Sequence, residues 1–199
     1  MKNATVLIYA KPPRMGLAKT RLASGVGLTE ARRIAHFTLA RTMRAALSGP
    51  WRPVLYAAPD GALSDTIGGI WPAHLVRLSQ GSGSLTERLN RGLADAYNGP
   101  VLFIGADAPD LTPALLHQAI RALKRHDAVF GPARDGGFWL FGINKRARTK
   151  SPFEKVRWSG PYAMEDVWSN LPAGASVALL PMLIDIDEGQ DWRDWNAAR

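Results

Sequence analysis

The first residues with chemical potential follow an apolar run, Val101–Ile104, and include two carboxylates, Asp107 and Asp110. The run is typical of a strand covered on both faces of a parallel sheet, and open α/β sheets bind ligands at the carboxyl ends of such strands. We therefore expect Asp107 at a ligand-binding edge, where phosphate oxygens and water could complete a magnesium site. Asp110 precedes Thr112-Pro113, a typical helix start, so it could equally serve only that helix.

A second group lies in a loop rich in turn formers and cations, which follows the predicted first strand, Thr5–Ala10. A glycine-containing loop between a strand and a helix can present backbone N–H groups to phosphate oxygens, and nearby cations add charge-assisted hydrogen bonds. Neither GxxxxGK[ST] nor GxGxxG is present, so an ordinary exposed basic loop is the alternative. The phosphate-binding candidates in this loop are Lys11, Arg14, Gly16, Lys19 and Arg21.

A third group, Asp135-Gly136-Gly137, lies between two predicted strands. Two adjacent glycines permit a tight hairpin with positive φ, which would give them a purely structural role. They would also let a substrate lie against bare backbone. In that interpretation Asp135 accepts a hydrogen bond from a substrate hydroxyl and is a candidate catalytic base, with Gly136 and Gly137 binding the substrate.

The fourth group is the acidic segment Asp185–Asp191, with the sequence DIDEGQD. Alternation along an extended chain places Asp185 and Asp187 on the same side. Either carboxylate could therefore complete a metal site with Asp107. A solvated acidic turn is the competing interpretation of this segment.

Composition limits the classes of protein to which this chain can belong. Its 199 residues, 46% of them hydrophobic, are enough to bury one core, and we predict a single domain over residues 1–199. Cysteine is absent, which excludes disulfides and thiolate metal sites. There is no GxSxG or HExxH motif, so hydrolase and zinc-peptidase activities are not favoured.

The formal charge of +8 favours an anionic partner such as a nucleotide or phosphate ester, although cations could simply solvate helix faces. We do not expect nucleic-acid binding, because no basic run is interleaved with exposed aromatic residues. The apolar runs are too short for stable membrane insertion, and no signal peptide is apparent. The sequence therefore predicts a soluble, cytoplasmic protein of unknown oligomeric state.

Hydrophobic periodicity predicts strands that alternate with helices, and hence an α/β fold with three layers. The predicted strands are Thr5–Ala10, Val54–Ala58, Leu75–Leu78, Val101–Ile104, Ala128–Phe130 and Phe138–Ile143, with 177–180 and 182–185 also strand-like. The predicted helices run from Thr29 to about Ser48, from a capping box at Ser84 and Glu87, from Pro113 to about Arg125, and over 164–170, with a further short helix before Pro72.

Six segments, taken in order, resemble the bacterial DUF2064 family, also described as glycosyltransferase-A-like or radical-SAM/selenodomain-associated transferases. They are KPPRMGLAKTRLA, QGSGSLTERL, IGADAPDLTP, GPARDGGFWLFGI, VRWSG and DIDEGQDW. The family is grouped with nucleotide-diphospho-sugar transferases and is similar to nucleotidyltransferases that guanylylate phospholactate or molybdopterin. The chain departs from the family in two places. It has GADAPD where many members have TDCPDL, and WSGP where many have WSTP.

The resemblance implies a Rossmann-like glycosyltransferase-A fold with a mostly parallel mixed sheet. It also implies a nucleotide at the carboxyl edge and a Mg²⁺ or Mn²⁺ ion. Asp107 matches the metal-anchoring aspartate, and Lys19 and Arg21 match the phosphate-contacting KTRL. The DID segment, which contains Asp185 and Asp187, resembles the second metal-binding segment. Arg88, in the segment QGSGSLTERL, is a further nucleotide-binding candidate. Trp158, next to Ser159-Gly160, could edge a pocket, which makes Trp158 and Ser159 substrate-binding candidates, although packing in the core or in a lid is the alternative for Trp158.

The sequence therefore predicts a metal-dependent transferase with a nucleotide-activated donor, and the family grouping favours a glycosyltransferase. Catalytic roles are expected for Asp107 and Asp135. The first alternative is transfer of a nucleoside monophosphate from a triphosphate to a small phosphorylated acceptor, because departing pyrophosphate needs several cations. A non-catalytic nucleotide-binding module is a third possibility. The expected partners are a nucleotide or sugar nucleotide and a small-molecule acceptor.

Overall fold

A seven-stranded sheet forms the centre of the described part of the protein, which in this computed structural model comprises residues 4–15 and 19–199. The strands are β1 (Thr5–Ala10), β2 (Arg52–Ala57), β3 (Arg77–Ser79), β4 (Gly99–Ile104), β5 (Ala128–Pro132), β6 (Phe138–Lys145) and β7 (Val177–Leu179). Their order is β3-β2-β1-β4-β6-β5-β7. In this part of the chain, β6 is antiparallel to β4 and β5, and the other pairs are parallel. The predicted mostly parallel mixed sheet is confirmed.

Helices cover both faces of the sheet, which gives the three predicted layers. They are α1 (Thr20–Val26), α2 (Leu28–Leu47), α3 (Leu85–Asp95), α4 (Pro113–Ala122), α5 (Ala163–Ser169) and α6 (Gly189–Ala197). Side chains alternate along a strand, so Val6 and Ile8 of β1 pack with α2 and α4 on one face. Leu7 faces the opposite layer, where it packs with α3 and α5.

Two predicted helix starts are confirmed by their hydrogen bonds. Ser84 and Glu87 form a capping box at α3, in which each side chain accepts a hydrogen bond from the backbone N–H of the other residue. Thr112 accepts a hydrogen bond from the N–H of Leu115, and Pro113 is the first residue of α4. These caps set the first residues of α3 and α4, the helices that follow β3 and β4 at the carboxyl edge of the sheet.

The prediction that Thr29 caps the second helix is wrong. Gly27, with φ of +83°, separates α1 from α2, and its carbonyl accepts the first hydrogen bond of α2 from Ala31. Thr29 therefore lies within the first turn rather than before it. The helix α1 was also not predicted, because residues 20–22 were placed in the preceding loop.

Three further segments differ from the predictions. The helix expected before Pro72 consists of two short 3₁₀ turns, Asp60–Ala62 and Ile67–Gly69. The strand expected over 182–185 is a single bridge between Leu183 and Ala133, because this segment turns away from the sheet towards α6. In the segment interpreted as a possible acidic turn, Glu188 and Asp191 form a capping box that starts α6.

A third apolar cluster fastens α6 to α1 and α2 beside the carboxyl edge of the sheet. Leu22, Ile34, Ile186 and Trp195 are its most buried members. The helices α1 and α6 approach closely at Gly25 and Gly189, where a Cβ on Gly25 would lie 3.1 Å from the Cα of Gly189. Among the described helices, none combines the length and apolar character needed to cross a bilayer.

Candidate active site

The acidic segment before α6 is held directly against the loop that follows β4. The backbone N–H of Ile186 donates a hydrogen bond to the carbonyl of Asp107, over 3.0 Å. Ile186 is fully buried, so its neighbours Asp185 and Asp187 face the polar side of the segment. The fold thus brings together the three carboxylates that the sequence predicted as a group.

Lys19 lies between these carboxylates. Its ammonium group is 2.8 Å from Oδ1 of Asp107 and 2.6 Å from Oδ1 of Asp187, and it also donates to the carbonyl of Ile186 over 2.6 Å. The backbone of Lys19 has φ of +56°, a left-handed conformation that costs a non-glycine residue roughly 1–2 kcal/mol. Three hydrogen-bond acceptors hold the side chain in this position.

The close packing of these charged side chains shifts the pKa values of Lys19, Asp185 and Asp187. Burial alone would lower the pKa of Lys19, but Asp107 and Asp187 outweigh it and the pKa is raised, so the ammonium stays charged. Burial and then the negative charge of Asp107 hold the pKa of Asp185 well above its usual value. Burial also acts to raise the pKa of Asp187, but Lys19 and Arg21 lower it overall.

The chemistry of these side chains fits a hard divalent cation, because Asp107, Asp185 and Asp187 offer only carboxylate oxygens. Among the described residues the side chain of Asp185 has no hydrogen-bond or ion-pair partner, although the carboxylates of Asp107, Asp187 and Asp135 are near it. The ammonium of Lys19 supplies the compensating charge in this arrangement, and no three acidic or histidine side chains of residues 4–15 and 19–199 surround a common point closely enough to enclose an ion.

A cavity of about 430 Å³ opens at the carboxyl ends of β1 and β4, and we call it the basic cavity. Four cationic side chains and two carboxylates line it, so its charge is net positive. Its polar and charged lining residues are Tyr9, Lys11, Lys19, Thr20, Arg21, Gln80, Arg88, Asp107 and Asp187. Ala35, Leu39 and Leu85 supply apolar surface. A cavity of this size and charge can hold a nucleotide with its phosphates.

A second cavity of about 250 Å³ adjoins the first, and we call it the aromatic cavity. Phe103, Phe138, Trp139, Trp158, Leu85 and Leu89 give it a largely apolar wall. Its charged lining residues are Arg21, Asp135, Asp185 and Asp187. Tyr9, Arg21, Leu85 and Asp187 line both cavities and form the wall between them. The acidic group therefore lies at the junction of the two cavities.

The predicted site residues divide into those that line a cavity and those that do not. Lys11, Lys19, Arg21 and Arg88 line the basic cavity, and Asp135, Gly137, Trp158 and Ser159 line the aromatic cavity. Arg14 lies outside both and pairs with Asp65 over 2.7 Å. Gly136 lines neither cavity: it has φ of +84°, and a Cβ there would clash with the carbonyl oxygen of Pro161. Gly16 lies outside the described residues.

Asp110, the second carboxylate after β4, has a different partner. Its Oδ2 accepts a hydrogen bond from the indole N–H of Trp195 over 2.7 Å. Trp195 is a buried residue of α6, so this bond fastens α6 to the loop that carries Asp107. Asp110 lines neither cavity, and its contact is structural.

Tyr9 and Gln80 line the basic cavity and were not among the site residues predicted from the sequence. The hydroxyl of Tyr9 donates to the carbonyl of Arg88 over 3.1 Å, and its ring stacks on Tyr56, so it forms a fixed wall between the cavities. The side-chain amide of Gln80 donates to the carbonyl of Tyr56 over 2.9 Å, and the residue is buried. The position of Tyr9 near the end of β1 is a signal that could have identified it.

Several solved structures have a fold similar to that of this chain. A candidate nucleotide-diphospho-sugar transferase from Desulfovibrio desulfuricans G20 is 25% identical, with a TM-score of 0.85, covering 98% of this chain and 87% of that one. The 4-diphosphocytidyl-2C-methyl-D-erythritol synthase of Anaerococcus prevotii DSM 20548 is 14% identical, with a TM-score of 0.62, covering 98% of this chain and 97% of that one.

A third similar structure is glucosyl-3-phosphoglycerate synthase from Mycobacterium tuberculosis, in complex with Mn²⁺, UDP and glucosyl-3-phosphoglycerate. It is 11% identical, with a TM-score of 0.59, covering 96% of this chain and 75% of that one. No curated protein sequence matches this chain. The fold predicted for a glycosyltransferase-A-like protein is confirmed.

One family model matches residues 39–160, which is more than half of the 199 residues. It is the model of DUF2064, described as an uncharacterized protein conserved in bacteria. The matched region contains β2 to β6, the Asp107 loop and the Asp135 hairpin. The chain belongs to the DUF2064 family.

Proposed function

We propose that this protein is a metal-dependent glycosyltransferase that uses a nucleotide-activated sugar as its donor. The observation that carries the proposal is the adjacency of two cavities of different chemistry, with three carboxylates at their junction. The basic cavity would hold the nucleotide diphosphate, and the aromatic cavity would hold the acceptor. The transferred group would cross at the wall that contains Asp187.

The cations of the basic cavity suit a diphosphate. Lys11, Lys19, Arg21 and Arg88 line it, and charge-assisted hydrogen bonds from such side chains are the strongest that phosphate oxygens accept. Lys19 now contacts Asp107 and Asp187, and an arriving diphosphate would offer its ammonium a new acceptor. In this proposal Lys19 exchanges carboxylate partners for phosphate.

Asp107, Asp185 and Asp187 would hold the divalent cation. When bound, Mg²⁺ or Mn²⁺ would stabilise the negative charge that develops on the leaving diphosphate. Lys19 and Arg21 would bind the remaining phosphate oxygens. The similar glucosyl-3-phosphoglycerate synthase structure contains Mn²⁺ and UDP together, which supports a divalent cation beside the nucleotide.

Asp135 is placed to position an acceptor hydroxyl. Its Oδ1 accepts a hydrogen bond from the N–H of Gly137 over 2.9 Å, which orients the carboxylate at the edge of the aromatic cavity. In the proposed reaction the acceptor oxygen bonds to the anomeric carbon as the bond to the diphosphate breaks. The hydroxyl proton passes to Asp135, which acts as general base.

Nucleotidyl transfer is the second candidate. The four cations of the basic cavity would also bind a departing pyrophosphate, and one protein of similar fold is a 4-diphosphocytidyl-2C-methyl-D-erythritol synthase. In that reaction the acceptor oxygen would attack the α-phosphorus of a nucleoside triphosphate. The two reactions therefore differ in donor and in leaving group.

A thermal-shift panel of nucleoside triphosphates and sugar nucleotides, each with and without Mg²⁺ or Mn²⁺, would separate these reactions. We expect sugar nucleotides to raise the melting temperature, and the metal to increase the rise. Stabilisation by triphosphates but by no sugar nucleotide would instead favour nucleotidyl transfer.

The Asp107→Ala variant tests whether the site is catalytic. We expect it to lose the metal-dependent part of the nucleotide stabilisation. Nucleotide binding that persists undiminished in this variant, and without metal, would instead indicate a non-catalytic nucleotide-binding module.

A further inference from the structure

The two cavities differ in charge as well as in shape. Four cations line the basic cavity beside two carboxylates, whereas one cation lines the aromatic cavity beside three carboxylates. The side chains that line the aromatic cavity are thus net negative. A divalent cation held at the junction would arrive with the donor diphosphate, whose negative charges offset the charge of the ion. An anionic group would be attracted to the first cavity and repelled by the second.

The single cation of the aromatic cavity is already engaged. Arg21 pairs with Asp187 over 3.0 Å and lies 4.0 Å from Glu188. It also belongs to the wall shared with the basic cavity, where it can contact a donor phosphate. Among the described lining residues, no other cationic side chain is available to pair with a phosphate on an acceptor.

The apolar wall of the aromatic cavity is held rigidly. The indole N–H of Trp158 donates to Oγ1 of Thr86 over 2.8 Å, and that hydroxyl donates to the carbonyl of Phe153 over 3.0 Å. Phe138 packs edge-on against Trp158, with 6.3 Å between ring centroids. The orientation of Trp158 is therefore set before a ligand arrives. A ring or alkyl group can pack there without further ordering of the wall.

Polar groups at the edge of this cavity can bind hydroxyls. Asp135 holds one carboxylate oxygen against the N–H of Gly137, so its other oxygen can accept from a ligand. Ser159 is exposed at the rim, in a left-handed conformation with φ of +61°. Its hydroxyl can donate or accept.

We propose that the acceptor is an uncharged alcohol with an apolar or aromatic body, and that phosphorylated acceptors are excluded. This inference rests on the proposed function, because it assigns the aromatic cavity to the acceptor. The apolar body lies against Trp158 and Phe138, and a hydroxyl points to Asp135. The chain thereby differs from the similar structure that contains glucosyl-3-phosphoglycerate.

A matched pair of probes tests the proposal directly. Phenyl β-D-glucoside and its 6-phosphate share the aromatic ring and most hydroxyls, and differ by one anionic group. Binding of each is measured by isothermal titration calorimetry at pH 7 with the full chain. We expect the neutral glucoside to bind about tenfold more tightly or better, because like charges repel the phosphate. Equal or tighter binding of the phosphate, or binding of neither probe, overturns the proposal.

Two variants locate the binding site. Trp158→Leu removes the rigid wall, and we expect it to weaken phenyl β-D-glucoside about tenfold. Trp168→Leu is the matched control, because Trp168 stacks on Phe130 outside the cavity. Asp135→Asn removes one negative charge but keeps the oxygen that accepts a hydrogen bond from the N–H of Gly137. We expect the ratio between the affinities for the neutral and the phosphorylated probe to fall severalfold in this variant. An unchanged affinity in Trp158→Leu and an unchanged preference in Asp135→Asn would contradict the proposal.

Nucleotide binding is measured separately, so that this inference and the proposed function can fail independently. Titration of UDP with Mn²⁺ reports on the basic cavity, and we expect the Trp158→Leu variant to retain it. A protein that binds no nucleotide but prefers the neutral glucoside contradicts the proposed function and leaves the charge selection of the aromatic cavity supported. A protein that binds nucleotide but prefers the phosphorylated glucoside contradicts charge selection by the aromatic cavity and leaves the proposed function supported.

Discussion

Lys19 is the side chain that balances the charges of the candidate active site. Its ammonium contacts Asp107 and Asp187 at 2.8 and 2.6 Å and is mostly buried. The resemblance to other family members implied that this lysine contacts phosphate. The structure places it among carboxylates instead, which is consistent with a lysine that changes partners when a donor binds.

Replacing Lys19 by Met should make the protein dependent on divalent cations for stability. The substitution keeps an unbranched side chain, one atom shorter, but removes the cation that Asp107 and Asp187 share and leaves Asp187 with Arg21 alone. We expect a lower melting temperature than wild type without metal, and a larger rise than wild type on adding Mg²⁺ or Mn²⁺. Differential scanning fluorimetry measures both. A rise no larger than that of wild type would argue against these carboxylates as metal ligands.

Asp110 should matter for stability and not for nucleotide binding. The Asp110→Ala variant loses the hydrogen bond to the indole of Trp195, and a hydrogen bond to a charged group contributes about 1.5–3 kcal/mol. We expect urea unfolding to show a loss of that order, while UDP binding of the folded variant is unchanged. Loss of nucleotide binding in the folded variant would give Asp110 a role in the site.

Among the elements, α6 and the segment before it complete the site. Ile184, Ile186 and Trp195 anchor them in the cluster with Leu22 and Ile34. The same segment carries Asp185 and Asp187 into the junction of the cavities. The position of the acidic residues therefore depends on apolar packing at a distance from the site.

The Trp195→Ala variant tests this dependence. Removing a fully buried tryptophan typically costs about 3–5 kcal/mol, and Asp110 would also lose its hydrogen-bond donor. We expect a fall of that order in the free energy of unfolding, together with weaker metal-dependent UDP binding. Trp168→Ala, which truncates a 40% exposed tryptophan, is the matched control. A small effect of Trp195→Ala on both measurements would contradict the assignment.

An ion pair links the residue before Trp158 to α5. Arg157 pairs with Asp166 over 2.6 Å, and these hydrogen bonds lower the pKa of Asp166 from 3.8 to about 2. Since the pKa is lower in the folded state, the stabilisation is present above pH 4 and is lost as pH falls towards 2. The melting temperatures of wild type and Asp166→Asn should therefore differ at neutral pH and converge near pH 2. A difference that is independent of pH would contradict this.

Viewed as a whole, the molecule carries a formal charge of +8, and part of that charge lines the basic cavity. The side chains that line the aromatic cavity are net negative. The net positive charge of the whole chain therefore does not predict the charge of each cavity. We expect each cavity to select ligands by the charge of its own lining.

Salt should therefore affect the two ligands differently. The Debye length falls from about 10 Å at 0.1 M salt to about 3 Å at 1 M, which weakens attraction between the basic cavity and a diphosphate. We expect UDP affinity to fall severalfold across this range, while phenyl β-D-glucoside affinity stays nearly constant. Titration calorimetry at both salt concentrations measures this. Parallel losses for the two ligands would show that charge does not distinguish the cavities.

The sequence predicted the sheet and much of the site, because strand ends and their loops have local signals. The apolar run before Asp107, the capping box at Ser84 and the Thr112-Pro113 pair each identify an edge of an element. The alternation of Asp185 and Asp187 with buried isoleucines likewise predicted that both would face the same side. These signals need no knowledge of distant contacts.

The features that the sequence did not predict depend on long-range contacts. The helix α6 begins with acidic residues that also suit a turn, and its position is set by Trp195 against α1 and α2. The wall formed by Tyr9 and the contact between Lys19 and the carboxylates require residues far apart in the chain. No periodicity within one segment could indicate them.

The segment 183–197 is synthesised after every other part of the candidate site. A chain emerging from the ribosome can pair β1 to β6 and cap α4 before this segment is made. Until then Lys19 has no Asp187, Asp110 has no indole partner, and the wall between the cavities is incomplete. The nascent protein would have its sheet and the cations of the basic cavity before its late carboxylates. The candidate site would be completed only when α6 packs against α1.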